Sequence, residues 1–286
     1  LKSWGSIHHN GLTMKKFSLA LAALALSAGA HADDGSFFSH WLDNVSATQA
    51  EQPSFVTPLV TVTPRLEQEY RFDYISQQLA NGYHNDNYGN GKGLELIPSE
   101  NTEIVINVPP YIDHTQRGVK DGWGDVSFLL KYRLLSANAE SGNYIVTAFV
   151  GTGFATGEKP NGGIADTVNA SIAAGKGWGN FDVQSTFGVS VPRNNFDEVG
   201  RSFQWNTAFQ YHLPYRVWPE IEYNWTRFSG GPHDGQTQAF VTAGAVLGKI
   251  PLHERIGLTL GAGFQHAVSS FHTYNNALVL TGRMPF

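Results

Sequence analysis

Apolar and polar residues take turns along most of this chain, and the clearest run is GWGDVSFLLKYRLL at 122–135. Val126, Phe128, Leu130, Tyr132 and Leu134 fall on one side of a period of two, with Asp125, Ser127, Leu129, Lys131 and Arg133 on the other. That period is a β-strand with one apolar and one mostly polar face. It recurs at 66–74, where Leu66, Gln68, Tyr70, Phe72 and Tyr74 alternate with Glu67, Glu69, Arg71 and Asp73. Further strands are predicted at 93–98, 102–111, 144–155, 167–178, 181–191, 202–212, 220–226, 236–248, 254–267 and 275–286. Polar stretches rich in Gly, Asn and Asp separate them, and 81–93 (NGYHNDNYGNGKG) reads as a long loop.

The pattern predicts twelve strands, and bacterial single-chain membrane barrels have even numbers. Connections after the odd strands tend to be long and polar, and those after the even strands are mostly shorter, as external loops and periplasmic turns would be. A soluble sandwich would hide the apolar faces against a second sheet. Tyr70, Tyr111, Tyr132, Tyr144, Trp178, Tyr211 and Trp225 lie near strand ends and fit interfacial girdles instead. The expected fold is therefore all-β, an antiparallel transmembrane β-barrel of twelve strands over 65–286.

The N-terminal part follows other rules. Met14-Lys15-Lys16, an apolar run over 19–30 and Ala30-His31-Ala32 read as a secretory signal peptide, residues 14–32. Residues 1–13 are an upstream extension outside the fold. Over 33–64, Phe37, Phe38, Trp41, Leu42 and Val45 share a helical stripe, Pro53 stops it, and Pro58 and Pro64 frame an extended piece. Two readings stand for 33–64: a periplasmic arm, or a small plug tucked into the lumen.

Composition narrows the chemistry. There is no Cys among 286 residues, which excludes a disulfide framework and thiolate metal sites. The net charge is -5, and removing residues 1–32 leaves 16 basic against 24 acidic residues, which argues against nucleic acid as a partner. With lipid outside, the opposite faces line a lumen. The lumen-lining candidates are Glu67, Glu69, Arg71, Glu103, Asp125, Lys131, Arg133, Gln204, Asn206, Glu220, Glu222 and Arg283. Glu103 is expected to reach Lys131 or Arg133, and Arg283 to reach Glu67 or Glu69 where the last strand meets the first. Such pairs brace the wall, select permeants by charge, or do both. Leu129, Ile145, Phe149, Trp218 and Phe228 on inner faces point to partial filling of the lumen.

Catalytic and metal signals are weak. The eight His residues after the leader show no ligand spacing, and no HExxH occurs. Ser269, Ser270 and His272 would be the residues of a surface lipid hydrolase, but no nucleophile motif surrounds either Ser. Gly151–Gly157 (GTGFATG) leaves a strand for a loop rather than opening a helix, so it is not a phosphate loop. The expectation is a non-enzyme without cofactor that passes small solutes. The rivals are a closed structural or surface-interaction barrel acting through its external loops and an outer-membrane lipid hydrolase.

Short motifs resemble a known family. Glu103–Pro110 (EIVINVPP), Gly122-Trp123-Gly124-Asp125 leading into Lys131-Tyr132-Arg133-Leu134-Leu135, Ala155-Thr156-Gly157-Glu158-Lys159-Pro160 and the terminal Phe286 carry the likeness. They resemble the outer-membrane barrel family named for the MetA pathway of phenol degradation. The family usually has Pro before the Thr-Gly, where Ala155 stands here. The resemblance implies an outer-membrane barrel of a Gram-negative bacterium that moves small hydrophobic or aromatic compounds. The C-terminal strand ending at Phe286 also resembles the signal read by the barrel-assembly machinery, with Thr281 where Gly is usual. The expected partners are outer-membrane lipids, that machinery and a small solute.

Overall fold

The sheet closes on itself through the pairing of the last strand with the first. In the computed structural model, which describes residues 37–286, the strands are β1 (Glu69–Gln78), β2 (His84–Gly89), β3 (Gly93–Ser99), β4 (Thr102–Asn107), β5 (Tyr111–His114), β6 (Gly122–Trp123), β7 (Val126–Ala137), β8 (Tyr144–Phe154), β9 (Thr167–Trp178), β10 (Phe181–Pro192), β11 (Arg201–Tyr211), β12 (Val217–Ser229), β13 (Thr237–His253), β14 (Ile256–Ala267) and β15 (Asn276–Pro285). The signal peptide at 14–32 and the extension at 1–13 lie outside the described residues.

Each strand pairs antiparallel with its neighbours from β7 round to β15, and β15 pairs with β1 from Glu69↔Pro285 to Gln78↔Asn276. The ring is completed by β1–β3, β3–β4 and β4–β7, so twelve strands close the barrel. The remaining three short strands prolong the wall above β3, β4 and β7, as β1–β2, β2–β5 and β5–β6. Both ends of the barrel chain, Glu69 and Pro285, lie at one end, called here the near end.

Outward side chains are apolar and exposed: Phe72, Ile104, Phe128, Leu130, Val150, Ile172, Phe187, Trp205, Ile221, Leu260, Phe264 and Leu280 among them. Water would not tolerate so continuous an apolar belt on a soluble protein, whereas a lipid bilayer requires it. Tyr132, Tyr144, Trp178 and Tyr211 are exposed towards the near ends of their strands, where an aromatic girdle belongs.

Three sequence expectations change in detail. The loop expected at 81–93 contains β2, whose partners run from Asp73↔Gly89 to Gln78↔His84. Its sequence, HNDNYG, is polar on both faces, so hydrophobic alternation gives no strand signal there. The strand expected over 102–111 is interrupted at 108–110, where Pro109 and Pro110 cannot donate to a ladder. The opening run breaks at Gly124-Asp125, and a register shift between Arg133 and Leu135 leaves both Leu134 and Leu135 outside.

Before the barrel, the helix α1 (Phe37–Ala50) crosses a division of the chain between Asp43 and Asn44. From residue 44 onward the chain belongs with the barrel. The C-terminal carbonyls of α1 lack partners within the helix. Arg133 donates to Thr48 O at 2.9 Å, and Asn138 donates to Ala50 O at 3.3 Å.

Candidate functional site

The segment 53–66 contains Pro53, Pro58 and Pro64 and joins no strand. Proline has no N–H, and an extended segment without a sheet partner must satisfy its remaining backbone groups elsewhere. Here the inner face of the barrel satisfies them with side chains. Leu59 N donates to Glu220 Oε1 at 2.9 Å, and Val60 N and Thr61 N donate to the two oxygens of Glu222 at 2.8 and 2.6 Å. From the opposite sign of charge, Arg283 donates to Thr57 O at 2.5 Å and Pro58 O at 2.7 Å, and Arg71 donates to Leu59 O at 2.8 Å. Gln184 reaches Val56 O, Thr186 reaches Val62 O, Thr147 reaches Pro64 O and Lys131 reaches Arg65 O.

Residues 53–66 therefore form a strap held across the near half of the lumen by wall side chains rather than by wall backbone. Apolar contacts fix its middle. Leu59 is 1 % exposed and packs with Val246, Val279 and Trp218. Three inward glycines make the room: a Cβ on Gly244, Gly261 or Gly263 would come within 2.5, 2.7 or 2.6 Å of a Leu59 methyl. Ile145 and Phe149 are also buried on the inner face.

Around the strap lies a network of buried charge. Lys131, 2 % exposed, sits 2.8 Å from Glu103, which is fully buried, and 3.9 Å from Glu95. Glu103 also accepts the Glu67 N–H at 2.6 Å. Arg133 pairs with Glu51 at 2.9 Å rather than with Glu103. Arg71 pairs with Asp73 at 2.8 Å. The seam differs from the pairing expected of Arg283 with Glu67 or Glu69: its guanidinium holds strap carbonyls and Thr281. The strap supplies acceptors closer to it, which is why register alone misassigned the partner. Among the described residues, buried carboxylates (Glu67, Glu69, Asp73, Glu95, Glu103, Asp182, Glu220, Glu222) outnumber buried cations (Arg71, Lys131, Arg133, Arg283).

The other candidates fall elsewhere. Asn206 is half-buried and Gln204 is exposed, on the inner parity of β11 towards the far end. Asp125 serves a loop: its carboxylate accepts Gly157 N at 2.8 Å and Gly163 N at 2.7 Å, pinning the turn over 155–166. His272 bonds Ser269 O at 2.8 Å and Asn275 at 3.0 Å, while Ser269 Oγ donates to Phe271 O. Among the described residues no group of three or more His, Asp or Glu is placed to hold a metal ion.

Sequence reasoning missed Asp73, Glu95, Gln184 and the glycine socket. Asp73 and Glu95 were visible as inward polar positions. The socket had no signal, because a glycine on a strand does not say what it faces.

No protein-family model matches the chain, and no curated protein sequence does. Solved structures do. A COG4313 outer membrane channel from Pseudomonas putida F1 is 16 % identical with a TM-score of 0.53, the match covering 76 % of this chain and 94 % of that one. The NanC porin is 8 % identical with a TM-score of 0.50, over 76 % of this chain and 98 % of its own. At such identity the likeness is one of fold. With the closed ring and its apolar belt, it makes this chain a twelve-stranded transmembrane β-barrel of the outer-membrane fold, lodged in the outer membrane of a Gram-negative bacterium.

Proposed function

We propose that the barrel passes small polar solutes and that the strap at 53–66 sets how wide the path is. The observation that carries this is the mode of attachment. The strap is bonded to wall side chains, so it can leave without breaking any hydrogen bond of the barrel ring. The near end is the periplasmic one in this reading, because its turns, such as Gly179-Asn180, are short and the far-end connections, such as 155–166, are long.

Strap and buried charges together form a polar constriction, which supports selection by charge and hydrogen bonding. The narrower kinship with the phenol-degradation family would instead give hydrophobic or aromatic cargo, and flux assays with both solute types separate the two. A closed barrel acting through its loops predicts no flux at all. Planar-bilayer recordings test the proposal: the protein lacking 33–64 should conduct several-fold more than the full chain. Equal or absent conductance in both refutes it.

A further inference from the structure

At the near mouth, between the strap and the wall of β12 to β15, lies an open cavity of about 450 Å³. Glu67, Glu69, Arg216, Trp218, Lys249 and Arg283 contribute to its lining. Glu69 is 5 % exposed, and its Oε1 has no hydrogen-bond partner among the described residues. Its register partner on β3 is Glu95, and Glu67 precedes it on the same face, so three buried carboxylates converge. Arg65, in the same lining, pairs with Glu67 at 3.5 Å and donates to Phe55 O, and three further cations are held by other groups. Arg283 holds Thr57 O and Pro58 O, Arg71 holds Asp73 and Leu59 O, and Lys131 sits between Glu103 and Glu95. A buried carboxylate oxygen without a donor is costly, and a ligand that brings one recovers that cost.

A primary ammonium is a donor matched in charge to a buried carboxylate oxygen that lacks a hydrogen bond. At the rim the charge reverses: Arg216 and Lys249 are exposed. A bare cation meets repulsion there, whereas a molecule with an anionic tail is favoured at both ends.

We propose that this cavity binds a small zwitterion, with its primary ammonium on Glu69 and its carboxylate towards Arg216 and Lys249. The idea draws on the channel reading only for its setting at the mouth of the path, and its test is one of binding. The purified full-length protein in detergent is titrated with 4-aminobutyrate, butylammonium and butyrate by ligand-observed NMR. The expected order is 4-aminobutyrate tightest, butylammonium weaker and butyrate unbound. Glu69→Gln should weaken both amines about ten-fold or more, the scale of one charge-assisted hydrogen bond. Arg216→Ala with Lys249→Ala should weaken only 4-aminobutyrate.

Butyrate binding as tightly as 4-aminobutyrate, equal affinity of the two amines, or indifference to Glu69→Gln overturns the proposal. Heat-modifiable gel mobility checks that each variant is a folded barrel. If Glu69→Gln fails that check, the wild-type protein is treated with butylamine and a water-soluble carbodiimide. The amine then displaces the activated carboxyl oxygen, which leaves as the urea. An amide that maps to Glu69 supports the site, and its absence there overturns it. Conductance without binding defeats this inference alone, and binding without conductance defeats only the channel reading.

Discussion

Glu222 holds two successive amides of the strap, and its removal tests directly whether wall side chains keep the strap in place. Its two oxygens accept Val60 N at 2.8 Å and Thr61 N at 2.6 Å, and the residue is fully buried. Hydrogen bonds to a charged group contribute about 1.5–3 kcal/mol each, so the pair contributes about 3–6 kcal/mol. Glu222→Leu also removes the cost of keeping a carboxylate away from water, which brings the net loss to about 2–4 kcal/mol. At about 1.4 kcal/mol per ten-fold, the released population of the strap rises roughly 30- to 700-fold. The chain has no Cys, so Thr61→Cys introduces a single thiol at a position with no exposure in the folded state. The rate at which a water-soluble maleimide labels it reports the released population. The rate in Thr61→Cys with Glu222→Leu should exceed that in Thr61→Cys alone by the factor above, and Glu222→Gln should fall between them. Labelling at the parent rate would refute the assignment of Glu222 as a strap anchor.

Other expected outcomes use independent contacts. Gly263→Ala places a methyl within 2.6 Å of Leu59 and should raise the labelling of the same thiol without altering any charge. Leu59→Ala should do likewise, at a stability cost of about 2–5 kcal/mol in detergent unfolding by urea. Lys131→Met strands Glu103 in the buried network and should cost about 3–5 kcal/mol, whereas Lys131→Met with Glu103→Gln should recover part of it. A double variant less stable than Lys131→Met would contradict that. Asp125→Ala frees the amides of Gly157 and Gly163, so a glutamate-specific protease should cut faster at Glu158 than in the parent.

The alternation at Val126 to Leu134 shows why so much of the wall was legible. A side chain on a strand has two sides available, and lipid on one of them imposes a period that any reader of the sequence can see. The same argument fails where no lipid touches the wall. In β2 both faces are polar, so His84–Gly89 looked like loop. The bulge near Leu135 was hidden because an inserted residue changes phase without changing composition. Lys131 and Glu103 were readable as neighbours, because adjacent antiparallel strands bring residues at one level face to face.

Arg283 marks the other limit. Its place on an inner face near the closing seam followed from the sequence, but its partners did not. They are carbonyls of Thr57 and Pro58, more than two hundred residues earlier, on a segment with no periodicity to place it. Leu59 against Gly244, Gly261 and Gly263 is of the same kind. The order of residues alone set the twelve strands of the ring and which of their faces meet lipid, because those follow from a local period imposed by the solvent. That 53–66 lies within the lumen, which cations hold its carbonyls and which carboxylate is left without a donor emerged only once the chain was folded. Those contacts join residues far apart in the chain through single hydrogen bonds and shape, and neither leaves a repeating trace in the order of the residues.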